Sequence, residues 1–204
     1  MRKLILILMC SVSLFAQKFE THKKLNRYDK EIVNAEFGVI FPMGNLKNKF
    51  EYAQSYGFWF NSVREKDFMV ELGISIFFPK EARPIQYQFQ DSIHTIESRK
   101  YGLDFGLRLD KIIQFSDDKK LILDTTIGIN YLDYKFPKDE SKDAKKDNGA
   151  GFKNTTFLIA PEIKYIYQNV GLKLQYRFTP YNVIEGMESN FGSSSILIGI
   201  IYKQ

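Results

Sequence analysis

His22 and His94 are the only imidazoles in this chain, and Cys10 is its only thiol. Nucleophilic catalysis needs a hydroxyl or thiol, a base within hydrogen-bond reach and a group that orients the base. The one local arrangement of that kind is Asp91-Ser92-Ile93-His94, followed by Thr95, which would suit acyl chemistry on a lipid. Its composition is too common to be a signature, so a solvated loop histidine is the preferred reading. The sequence has no metal-ligand cluster, no glycine-rich phosphate loop and no CxxC pair. No catalytic, cofactor-binding or metal-binding residue is assigned, and no cofactor is expected.

A second set of charged residues recurs with a pattern. Glu36, Glu71, Asp104, Arg108, Asp124, Glu162, Lys164, Lys173 and Arg177 each fall inside an apolar stretch, at positions lying between hydrophobic neighbours. Five acids against four bases nearly neutralise one another. Ions placed on one side of apolar strands and kept from water must be paired and hydrogen-bonded, or they are very costly. Their chemistry is therefore that of a packed ionic network. A gate or proton path is the functional alternative, and the structural network is preferred.

The stretches that carry these ions alternate with a period of two, which is the signature of extended strand. Phe68, Val70, Leu72, Ile74, Ile76 and Phe78 alternate with Met69, Glu71, Gly73, Ser75 and Phe77. The same pattern predicts strands over about 34–41, 52–61, 68–78, 100–110, 121–134, 155–167, 170–179 and 195–202. Trp59 interrupts the pattern, because it falls on the otherwise small and polar face of its strand. With glycines and ions on one face and large apolar side chains on the other, the alternation fits a small polar lumen with the apolar face turned to lipid. A soluble lipocalin-like barrel would need the aromatic stripes inside.

The connections alternate in length as well: about 42–51, 62–67, 79–99, 111–120, 135–154, 168–169 and 180–194, with the first, third, fifth and seventh longer. Short periplasmic turns and long external loops have this rhythm. The expected fold is all-β, a closed antiparallel transmembrane barrel of about eight strands. Eight strands leave an interior just wide enough for side chains to fill. A two-residue turn at Gln168-Asn169 sets Lys164 opposite Lys173 and Glu162 opposite Gln175, so a carboxylate such as Glu162 or Glu71 must lie between the lysines. Phe78, Tyr101, Tyr131, Tyr134, Tyr165, Tyr167, Tyr176, Phe178 and Tyr202 gather near strand ends, as the aromatic girdles of a membrane barrel do.

The barrel is expected over 34–204, preceded by two other segments. Residues 1–16 read as a cleaved Sec signal peptide: Arg2 and Lys3, an apolar run, then Ala16 at the cut. A lipidated Cys10 is the rival reading, disfavoured because Met9 rather than a small residue precedes it. Residues 17–33 form a short polar periplasmic arm. Losing Arg2 and Lys3 with the leader lowers the formal charge from +5 to +3, with no dense basic stripe, so no nucleic-acid partner is expected.

The leader ending Leu14-Phe15-Ala16-Gln17, the glycine-punctuated strands and the last strand Ile198-Gly199-Ile200-Ile201-Tyr202 together carry a resemblance. They resemble the small outer-membrane β-barrel proteins of Bacteroidota of the PorT-like type and, more loosely, the OmpA/OmpX-type barrels. That resemblance implies the outer membrane of a Gram-negative bacterium, contact with its lipid, and a structural or interaction role as a non-enzymatic barrel or an accessory of a secretion or transport assembly. A protein partner would use the external loops 79–99 and 135–154. The first is an alternating segment suited to a protruding hairpin, and the second is hydrophilic with mixed charge. The alternatives are transport of a small solute or ion through the lumen and, less favoured, an outer-leaflet lipid-modifying enzyme.

Overall fold

Among the described residues period-two alternation becomes ten β-strands, and eight of them hydrogen-bond into a ring. The computed structural model describes residues 33–65, 67–82, 85–89, 92–96, 98–135, 151–181 and 191–203. The strands are β1 (Val33–Pro42), β2 (Phe50–Glu65), β3 (Phe68–Glu81), β4 (Ile85–Phe89), β5 (Ser92–Ile96), β6 (Ser98–Ser116), β7 (Lys119–Lys135), β8 (Gly151–Tyr167), β9 (Val170–Phe178) and β10 (Ser194–Lys203). The closed barrel runs β1-β10-β9-β8-β7-β6-β3-β2, while β4 and β5 form a separate two-stranded sheet. All pairings are antiparallel, and β1 pairs with β10 along nearly its whole length, from Asn34↔Lys203 to Pro42↔Ser195. Closure of this kind leaves the wall without a free edge. The expected leader at 1–16, the arm at 17–33 except Val33, which instead opens β1, and most of the loop 135–154 lie outside the described residues.

One end of the barrel carries tight turns and the other carries the longer connections. The β8–β9 turn is Gln168-Asn169, with Lys164↔Lys173 and Glu162↔Gln175 in register. Gln168 has φ of 54°, the only positive φ at a non-glycine among the described residues. The expected connection over 111–120 is instead a two-residue turn at Asp117-Asp118, because β6 continues to Ser116 and β7 starts at Lys119. The alternation does not stop at Asp110: Ile112 is buried inside opposite Ile122, and Ile113 and Phe115 point out. A charge inside a strand reads from sequence as its end, yet Asp110 is itself an interior residue. At the other end, a 3-10 helix (Gly44–Asn48) occupies the β1–β2 connection. The β4–β5 hairpin stands within the connection 79–99 and pairs Ile85↔Ile96, Tyr87↔His94 and Phe89↔Ser92.

The two surfaces of the wall differ in kind. Outside, large apolar side chains are exposed around the ring, among them Phe37, Phe58, Leu72, Phe105, Ile129, Phe157, Leu172 and Ile200, with Leu172 at 63%. Aromatic residues sit near the ends of this outer band: Phe41, Tyr52, Phe78 and Tyr176 toward the loops, Phe115, Tyr165, Tyr167 and Tyr202 toward the turns. Inside, the packing is layered. Ile40, Leu46, Phe50, Ala53, Phe77, Leu132, Tyr181, Phe191 and Leu197 form an apolar plug at the loop end. Met69, Ile112, Ile122, Ile166 and Ile201 form an apolar base at the turn end. Between them lie the buried ions.

Candidate functional site: the buried ionic layer

Inward positions on six strands supply the layer, and strand register decides which of them meet. Arg108 on β6 stands at its centre. Its guanidinium forks onto Glu36 of β1, Nη1 to Oε1 at 2.8 Å and Nη2 to Oε2 at 3.2 Å. Nη1 also donates to Glu71 Oε2 at 2.9 Å, and Nε donates to Thr126 Oγ1 at 3.2 Å. Asp124 and Glu162 lie 3.6 and 3.7 Å from the same guanidinium. Bidentate geometry of this kind is what arginine supplies and lysine does not.

The facing lysines are separated in charge by Glu162. Lys164 Nζ lies 3.2 Å from Glu162 Oε1, and Lys173 Nζ lies 3.1 Å from Glu162 Oε2. Lys164 also approaches Asp124 at 3.0 Å, Glu71 at 3.6 Å and Asp110 at 3.9 Å. Lys173 donates to Glu36 at 2.5 Å. Asn34 on β1 donates its side-chain amide to Glu71. Seven of the nine ions named from sequence therefore form one connected group. Asp104 and Arg177 form a smaller one nearer the loops, with Arg177 Nη2 at 2.8 Å from Asp104 Oδ2 and Asn130 Nδ2 donating to Asp104 Oδ1 at 2.6 Å.

Trp59 is the side chain that sequence reasoning left without a place. Its ring is 2% exposed, and the Arg108 guanidinium stacks on it 3.6 Å from the centroid. A guanidinium over an indole gains from the ring quadrupole, the more so when both are out of water. The indole fits because of Gly73: a Cβ there would collide with it, and Gly106 also keeps the facing wall low. Gly102 clears the same kind of space for Phe77. The signal in the sequence was a single tryptophan on a face otherwise set with glycines. Asp110 and Lys203, both buried, were also missed because each lies where the alternation had been taken to end.

The other candidates contribute nothing that can be placed here. His94 is in β5, paired through its backbone with Tyr87, and His22 lies outside the described residues. Among the described residues, no group of three or more His, Cys, Asp or Glu could hold a metal, and no helix is long and apolar enough to cross a membrane. A cavity of about 30 Å³ remains at the loop end between Leu46, Phe77, Arg177 and Tyr181. That is room for about one water.

The exposed rim behaves differently from the interior. Lys80 and Glu51, both about half exposed, meet at 2.6 Å. The hydrogen bond that Lys80 donates to Glu51 holds its ammonium above the ordinary pKa.

No family model and no curated relative matches the sequence. Among solved structures, the chain is similar to neisserial surface protein A, at 12% identity over 84% of this chain and 94% of that one, with a TM-score of 0.46. It is also similar to Ail, the attachment invasion locus protein of Yersinia pestis, at 8% identity over 85% and 99% of the two chains, with a TM-score of 0.39. Ail in complex with the heparin analogue sucrose octasulfate gives 8% identity over 85% and 96%, with a TM-score of 0.43. The assignment of this chain as a closed eight-stranded antiparallel barrel stands on its own strand pairing.

Proposed function

We propose that this chain is an outer-membrane β-barrel protein with a non-enzymatic, structural or interaction role, exported by the leader at 1–16. The observation that carries the reading is the inversion of the wall: large apolar residues outside and paired ions inside. Water rejects such an exterior, and a bilayer core accepts it, because the closed ring pairs the backbone of each wall strand with two neighbours. The aromatic residues near both ends of the outer band then sit at the two interfaces. Both termini and the tight turns face the periplasm, and the longer connections face outward.

The role follows from what the interior leaves open. An apolar plug, an ionic layer and an apolar base fill the barrel in sequence, which speaks against solute or ion transport as the task. The connections at the loop end remain as the surface for a partner, including 79–99 with its hairpin and 135–154. An accessory role beside a larger secretion or transport assembly, in the manner of PorT-like barrels, is the finer form of this reading. Its test is purification of the tagged chain from outer membranes in mild detergent, with mass spectrometry of what stays bound. Stoichiometric recovery of a larger assembly supports the accessory role. Recovery of the barrel alone, together with stepwise conductance in planar bilayers, would replace it with the transport reading.

A further inference from the structure

Two carboxylates in the ionic layer are placed unlike the others. Glu36 holds the Arg108 fork and Lys173, Glu71 accepts from Arg108 and Asn34, and Glu162 sits between the two lysines. Asp110 and Asp124 instead face each other as direct partners across β6 and β7. Side chains so paired have Cβ atoms about 4.5–5.5 Å apart, and like charges there repel. Both residues are buried, and none of their four carboxylate oxygens accepts a hydrogen bond; the Glu162 oxygens accept none either, but each lies within 3.2 Å of its own lysine. They share one ammonium, Lys164, 3.0 Å from Asp124 and 3.9 Å from Asp110.

We propose that Asp110 and Asp124 form a proton-binding site and share one proton. The proton resides on one carboxyl and is donated to the other, which supplies the hydrogen bond that both lack. Two carboxylates held this close out of water do not both ionise. The surroundings on every packed strand agree. Glu36 on β1, Glu71 on β3 and Glu162 on β8 are acids, and Arg108 on β6, Lys164 on β8, Lys173 on β9 and Lys203 on β10 are bases. On β2, Trp59 faces the layer. Among the described side chains, five carboxylates thus meet four cations, and one proton removes the surplus negative charge. Uncompensated charge inside such a wall would be costly.

The experiment is infrared difference spectroscopy of the folded full-length mature barrel in detergent at neutral pH, with carboxyl-¹³C aspartate in one sample and carboxyl-¹³C glutamate in another. The expected result is a protonated-carboxyl band that moves with labelled aspartate and stays with labelled glutamate. Absence of the band, as for an ionised pair bridged by water, would overturn the proposal, as would movement with glutamate. Asp110→Asn and Asp124→Asn should each abolish the band while Trp59 emission keeps its folded maximum. A band that survives in both folded variants also overturns it. If neither variant folds, the labelled unmodified barrel decides the matter.

Discussion

The ionic layer and the loop-end plug fill the same barrel, yet they are built by different rules. Each ion in the layer is an inward position of a regular strand, and pairing register carries it to its partner. Arg108 reaches Glu36 from 72 residues away because β3 and β2 stand between β6 and β1 with their register set. The plug borrows a third of its members from connections: Leu46 from the 3-10 helix, Tyr181 and Phe191 from the segment between β9 and β10. Phe191 packs edge-on against Phe50 at 5.9 Å and Tyr181 at 5.5 Å. One region depends on direction and charge balance, the other on volume, so they should fail differently.

The strongest way to break the contrast is at Arg108. Arg108→Met removes the fork from Glu36 and the contact to Glu71 and leaves both acids buried with less compensation. Stability should fall by about 3–5 kcal/mol, read from urea unfolding of the detergent-folded barrel. A loss below about 1 kcal/mol would mean that water enters the layer freely. Phe191→Ala should cost about 3 kcal/mol as a cavity effect in the plug. A double variant of Arg108 and Phe191 should be additive if the layers are independent, within about 0.5 kcal/mol.

Smaller changes sharpen the same comparison. Gly73→Ala drives a methyl into the Trp59 indole and should cost about 1–3 kcal/mol, with a shift in Trp59 fluorescence that Phe191→Ala does not produce. Gln168→Gly relieves the left-handed residue in the β8–β9 turn and should add about 0.5–1 kcal/mol, visible as a higher unfolding midpoint. Glu51→Gln at the rim should leave that midpoint unchanged while lowering the Lys80 pKa toward its ordinary value, followed by NMR titration. Its ions are solvated, and exposed pairs contribute little.

Much of this was legible along the chain, for reasons that particular residues show. The alternation from Phe68 to Phe78 assigns each side chain to a face without reference to any other strand, because a strand repeats every two residues. The tight turn at Gln168-Asn169 is local, so the pairing of Lys164 with Lys173 is local as well. Asp110 and Lys203 were hidden because a charge near a strand end looks like the start of a loop. Trp59 was hidden because its fit depends on Gly73 in the next strand.

The sequence by itself thus determined the eight wall strands and most of the residues that turn inward, since each follows from short-range periodicity and turn length. Closure and strand stagger decided the rest. They bring β1 against β10, set the Arg108 guanidinium between Glu36, Glu71 and Trp59, and place Asp110 in front of Asp124. They also draw Phe191 and Tyr181 back over the mouth of the barrel. Those meetings join residues far apart in the chain, and only the closed ring puts them within contact distance.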